Sequence, residues 1–155
     1  MPIERLKKHL ADHHVSYDTL HHRTAYSAQE VAAAAHVSGK QLAKAVVVKL
    51  DDKPVVVVLP ASELVDIDKL RQQTGAGSVE LAAEEEVAAL FPECEPGAVP
   101  AFADLWNLRV LVSRPLANRE RIAVSSGKHD EVMIVGYEDF QRVEHAPVLD
   151  VSRPT

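Results

Sequence analysis

The chain has 155 residues, of which 46% are hydrophobic and 26% charged, the mix of one compact domain. Seventeen Lys and Arg against 23 Asp and Glu give a formal charge of -6, which argues against a general basic field for gripping DNA or long RNA. Its one cysteine, Cys94, cannot form an internal disulfide, no apolar run nears the roughly 18 residues of a membrane span, and the start lacks a secretory pattern, so a cytoplasmic, non-membrane protein is expected.

Ile3, Leu6 and Leu10 fall at helical spacing among charged residues and predict an amphipathic helix over the first dozen residues. Val15 to Leu20 reads as a short strand. Ser27-Ala-Gln-Glu30 matches a capping box, in which hydroxyl and carboxylate satisfy amides at a helix start, so a helix is expected through the alanines to about His36. Gly39 then breaks the chain.

Lys44 to Leu50 and Pro54 to Leu59 are rich in valine and separated only by Asp51, Asp52 and Lys53, the pattern of a β-hairpin. Because the valines do not alternate with polar residues, these strands should be covered on both faces and form the centre of a sheet. A helix from about Asp66 to Gln73, a Gly75-Ala-Gly turn, a strand at Ser78 to Leu81 and an acidic helix from Ala82 to Leu90, stopped by Pro92, follow.

Pro92 to Phe102 has neither helical nor strand period and reads as a structured loop. Leu108 to Val112 and Arg121 to Val124 read as strands, and Val132 to Val135 pairs with the second across Ser125-Ser-Gly-Lys-His-Asp130. Tyr137 to Val143 closes with a helix, and after Ala146 a loosely held tail is expected. The whole is a single α/β domain over residues 1–145, with 146–155 as tail.

Three groups invite a chemical reading. Lys44 heads a strand of Ala45, Val46, Val47 and Val48, where a cation is either a partly desolvated ligand-binding group or a stem covering apolar surface while its head reaches water. Gly97-Ala-Val-Pro100 can turn so that amides are left unpaired and can hold a carbonyl oxygen, although such loops are also common connectors. Ser125 to Asp130 holds hydroxyls, an imidazole and a carboxylate, but it lacks a nucleophile elbow and reads first as a hairpin turn. His13, His14, His21 and His22 lack the spacing of a zinc motif, and no phosphate-cradling glycine pattern is present.

The order of these pieces is more specific than any one of them. Tyr26-Ser-Ala-Gln-Glu-Val through Gly39, Leu42-Ala-Lys44-Ala-Val, Pro96-Gly-Ala-Val-Pro-Ala-Phe102, Val124-Ser-Ser-Gly-Lys-His-Asp130 and Tyr137-Glu-Asp-Phe140 together resemble the YbaK/prolyl-tRNA-synthetase-associated editing domains, the ProX/INS-like trans-editing family, over about Ile3 to Val143. The resemblance implies a curved, mixed, largely antiparallel central sheet surrounded by helices. It also implies a trans-acting deacylase that hydrolyses the ester of mischarged tRNA, most often tRNA for proline, with a non-catalytic tRNA-end-binding module or synthetase-associated adaptor as the alternative.

On this resemblance Lys44 positions the aminoacylated terminal adenosine, and the amides of Gly97, Ala98, Val99 and the turn at Pro100 hold the ester carbonyl. Ser125, Gly127 and His129 form the late turn beside the pocket, and Tyr17 and Tyr26 line it. Water is activated mainly by the substrate's own ribose hydroxyl, so no cofactor, metal or protein nucleophile is implied. The partners implied are the acceptor end of an aminoacyl-tRNA, held by a local patch that includes Lys7, Lys8, Lys40, Lys44 and Lys128, and in passing a prolyl-tRNA synthetase. Two positions depart from the family pattern: Ala45 stands where Thr or Asn is common and carries no side-chain hydrogen bond, and the loop lacks the usual second proline and last glycine.

Overall fold

The computed structural model describes residues 3–155, so Met1 and Pro2 of the first expected helix lie outside it. That helix, α1 (Glu4–Asp12), buries Leu6 and Leu10 on one face as the spacing requires. Strand β1 (Tyr17–His21) follows, then α2 (Ala28–Ala35), whose first turn is capped by the Ser27 hydroxyl accepting from the Glu30 amide at 3.1 Å. The capping box is only half formed, because the Glu30 carboxylate accepts from the Ser27 hydroxyl instead of its amide.

The valine-rich pair forms β2 (Ala43–Leu50) and β3 (Lys53–Pro60), antiparallel from Ala43 opposite Pro60 to Leu50 opposite Lys53. Two residues turn the hairpin, Asp51 at φ 50 and Asp52 at φ 67, left-handed values that suit a tight strand-matched turn and that Asp tolerates better than most side chains. The Asp51 carboxylate holds the turn by accepting from the Gly77 and Ser78 amides, each at 3.0 Å.

After β4 (Glu63–Val65) comes α3 (Ile67–Thr74), capped by Asp66, which accepts from the Lys69 amide at 3.1 Å. Then come β5 (Val79–Leu81), α4 (Glu84–Leu90), a loop, a 3-10 turn over Ala103–Trp106 and β6 (Arg109–Ser113). The chain closes through β7 (Arg121–Ser125), β8 (Glu131–Gly136), α5 (Tyr137–Glu144), β9 (Val148–Leu149) and β10 (Ser152–Pro154).

Five strands order as β5-β2-β3-β6-β9, with β5, β2 and β3 antiparallel and β6 and β9 joined in parallel, so this sheet is mixed. A three-stranded antiparallel sheet, β1-β8-β7, lies beside it. The expected covering of the hairpin on both faces is found. Val47, Val56 and Val58 pack with Leu6, Leu10, Phe102 and Phe140 in the larger core. Val48, Val55, Val57 and Leu59 pack on the other face with Leu70 of α3, Leu111 and Val151. A third, smaller cluster seats Ala32 of α2 on Leu42, Ala123 and Val132.

The expectation of a loose tail after Ala146 is corrected. Val112 pairs with Val148, Ser152 pairs with Val65, and Val151 is completely buried, because two short segments cover strand edges that would otherwise lack partners. The Ser152 hydroxyl also donates to Glu63 at 2.7 Å and contacts the buried Ser113 hydroxyl.

Candidate functional site

Strand β2 is covered on its outer edge at its two ends by different elements. Strand β5 pairs only with Val48 to Leu50, and a single parallel bridge ties Leu42 to Ala123 of β7. Between these contacts the two sheets part. A small cleft opens there.

Lys44 and Ala45 line this cleft from β2, Gly97, Ala98 and Val99 from the loop, and Ser125 and His129 from the turn after β7. Tyr26, from the lead-in to α2, stands at its lip with 71% of its surface exposed. Eight of the residues singled out in the sequence are therefore brought together. Pro100 and Gly127 are buried in the walls and Tyr17 packs against the larger core, so these three do not face the cleft. Of the five lysines expected to form a basic patch, Lys44 and Lys128 line it, while Lys8 is paired with Asp12 at 3.3 Å on α1.

The Lys44 ammonium is half-buried, and loss of water pulls its pKa below the ordinary lysine value, an effect that the Glu63 carboxylate partly opposes. Neighbouring walls are apolar, formed by Val31, Leu42 and Val132. A cation in such a setting acts on an anionic or carbonyl-bearing ligand with less screening than on an open surface.

Opposite Lys44 the loop turns sharply at Gly97, whose φ of 84 suits glycine above other residues. The Ala98 amide donates to the Glu95 carbonyl at 3.0 Å, so it is already satisfied. Among the described residues the Gly97 and Val99 amides donate to no protein acceptor. These two remain as the donors a bound carbonyl oxygen would meet.

His129 ties three segments. Its ring nitrogen Nε2 lies 2.5 Å from the Pro96 carbonyl, and because a carbonyl only accepts, Nε2 carries the hydrogen. Its own carbonyl accepts from the Ala25 amide at 3.0 Å, and its ring stands 4.8 Å from that of Tyr26.

Sequence reasoning missed Glu131 and the apolar side formed by Val31, Leu42 and Val132. Glu131 begins β8 and is 1% exposed, with its carboxylate 3.1 Å from Nε2 of His21 across the β1–β8 pair. Its place after the turn in a strand pattern is the only sequence signal, and an acidic residue there reads as a strand end. The remaining histidines have separate surroundings. His22 Nδ1 contacts the Arg23 carbonyl at 2.6 Å, and His9 and His13 meet edge to face at 4.6 Å.

The sequence model of the aminoacyl-tRNA editing domain matches residues 22–143. A proline--tRNA ligase of Bacillus cereus (strain B4264) is 31% identical over 90 residues, which are 58% of this chain and 16% of the ligase. The ligase of Bacillus cereus (strain AH187) is 30% identical over the same share of each. The chain thus spans about one sixth of the length of these curated relatives. Among solved structures, a hypothetical protein superposes with a TM-score of 0.86 at 23% identity, covering 97% of this chain and 100% of its own. A candidate trans-editing enzyme for prolyl tRNA synthetase superposes with a TM-score of 0.82 at 19% identity, covering 97% and 96%. At these identities the two structures speak for the fold.

Proposed function

The chain belongs to the aminoacyl-tRNA editing domain family, and from that premise we propose that it is a trans-acting deacylase that hydrolyses the ester of mischarged tRNA, with tRNA for proline as the carrier. The observation that carries this reading is one cleft with a partly desolvated cation, Lys44, on one wall and two undonated amides, Gly97 and Val99, on the other.

In this reading the terminal ribose and its aminoacyl group enter between β2 and the loop. Water attacks the ester carbonyl carbon, and negative charge develops on the carbonyl oxygen. The Gly97 and Val99 amides hold that oxygen, the type of fixed-dipole stabilisation that lowers such barriers most. The bond from carbon to the ribose oxygen breaks, and the neighbouring ribose hydroxyl relays the water's proton to the leaving oxygen. The products are a free amino acid and a tRNA with its terminal diol restored. Lys44 acts electrostatically on the substrate's terminal nucleotide, and Ser125 and His129 contact it from the turn.

The chemistry answers a limit of synthetases, since a binding pocket discriminates poorly against amino acids that are smaller or nearly isosteric, and a second hydrolytic site removes the errors. The family model and the proline--tRNA ligase relatives support the same direction. The test is deacylation of tRNA for proline charged with Ala, Cys, Ser, Thr or Pro, by the wild type and by Lys44→Ala. Turnover of one or two mischarged species, lost in the variant, is the expected result. Binding of the tRNA without turnover in either protein would replace the deacylase with an adaptor that holds the acceptor end.

A further inference from the structure

The loop that carries the free amides is not anchored by apolar burial at its tip. Glu95, Pro96 and Gly97 are all exposed, and Gly97 adopts a left-handed turn. A short exposed glycine loop of this kind needs point contacts to keep two amides pointed one way. Three of the contacts found come from one residue that neither composition nor motif singled out.

Glu95 uses its amide, its carbonyl and its side chain. The amide donates to the Gly127 carbonyl at 2.8 Å, joining the loop to the turn after β7. The carbonyl accepts from the Ala98 amide at 3.0 Å, closing the loop on itself. The carboxylate Oε1 accepts from the His129 amide at 2.8 Å, and the His129 ring returns to the Pro96 carbonyl. Loop and turn are therefore laced in both directions, and three of the four bonds fix a backbone atom within two residues of Gly97.

We infer that Glu95 is a positioning residue, whose carboxylate clamps the 125–130 turn to the 95–99 loop and so fixes the direction of the Gly97 and Val99 amides. The inference rests on the deacylase reading for its effect on turnover, but the clamp itself can be read without activity. It acts through an accepting oxygen, not through net charge, so an amide side chain serves nearly as well. A clamp that aims amides at a developing oxyanion affects the rate of the chemical step and leaves substrate binding nearly untouched.

The experiment compares wild type, Glu95→Gln and Glu95→Ala by hydrogen exchange of the bonded Glu95 and Ala98 amides, thermal unfolding, and kcat and KM on the mischarged tRNA that the wild type deacylates. In Glu95→Ala, exchange at the residue-95 and Ala98 amides rises and kcat falls, each by about fivefold, the size of one lost side-chain hydrogen bond, while KM stays within about twofold. Glu95→Gln stays within about twofold of wild type in all three. Unchanged exchange in Glu95→Ala overturns the clamp, and so does damage in Glu95→Gln equal to that in Glu95→Ala, which would assign the effect to charge. If the wild type turns over nothing on the panel, the deacylase reading fails, while the exchange comparison still decides the clamp.

Discussion

The central hairpin and the cleft walls lie within a few residues of one another in space yet are held by different forces. In β2 and β3 most side chains are buried, packed against one of two cores, so the hairpin is fixed by many small, non-directional contacts. The 95–99 loop and the 125–130 turn are joined by a few directed hydrogen bonds, with Glu95, Pro96 and Gly97 exposed and Lys128 and His129 half-buried. Many weak contacts tolerate the loss of one, whereas a few directed ones do not. Lys44 stands at the boundary, on the rigid hairpin but facing the laced loop. The domain thereby separates the part that folds from the part that aims.

The hardest test of this division is a charge inside the hairpin. Val57 is completely buried among Val55, Leu59, Leu70 and Leu111, and no cation lies in that cluster. Val57→Asp should cost at least about 5 kcal/mol, comparable to the whole stability of a small domain, and abolish the cooperative melt seen by circular dichroism. A folded Val57→Asp would show that the hairpin is not what holds the domain. Lys44→Ala should do the reverse. Deacylation should fall by at least about 100-fold, about 2.7 kcal/mol of barrier, while the melting temperature moves by no more than about 3 °C, since the lysine is half-buried and pulled down by desolvation. A variant that loses stability along with activity would place Lys44 with the fold instead.

The same division explains what was legible in the sequence. The hairpin could be read because valine content reports burial directly, and the Asp-Asp turn matched strands of equal length. The cap at Ser27 could be read because it needs one side chain three residues from its target amide. The cleft residues Lys44, Gly97 and His129 were singled out by their local chemistry and by the order of motifs, not through any period. Glu95 and Glu131 stayed hidden because their partners, the His129 amide and the His21 ring, come together only when the loop and the first sheet close. Strands β9 and β10 stayed hidden because two or three residues between prolines give no periodic signal, and their pairing depends on open edges of β6 and β4.

The downstream end of the loop offers a smaller, pH-dependent way to sharpen the comparison. There the Glu144 carboxylate, at the end of α5, accepts from the Asp104 amide at 3.0 Å and so tethers the 3-10 turn that follows the loop. Burial pushes Glu144 up to about 7, and the neighbouring Asp104 charge adds to the rise against the hydrogen bonds that oppose it. With a folded-state value above the unfolded one, the fold holds a proton that the unfolded chain releases. Stability is then undiminished below the ordinary value of 4.5, falls as pH rises from there to about 7, and levels off above it. The full loss is on the order of 3 kcal/mol. Glu144→Gln keeps the accepting oxygen and removes the titration. It should raise the melting temperature at pH 8 by several degrees and change it little at pH 4.5, as calorimetry across that range would measure. An equal gain at both values would mean that Glu144 does not titrate with folding.

The smallest expected effect probes the directed contacts at the hairpin turn. Asp51 adopts a left-handed conformation and accepts two amides from the segment that enters β5. Asp51→Asn keeps tolerance for that conformation and one accepting oxygen, whereas Asp51→Ala loses both hydrogen bonds and suits the turn less well. Because Gly77 and Ser78 are exposed, their amides turn to water, and the cost of Asp51→Ala should be about 1 kcal/mol in urea unfolding, with Asp51→Asn near wild type. Deacylation should be unchanged in both, since the turn lies at the far end of β2 from Lys44. If Asp51→Ala lowered kcat without lowering stability, the seat of β5 would reach the cleft through β2, and the hairpin could no longer be regarded as an inert support for the amides it faces.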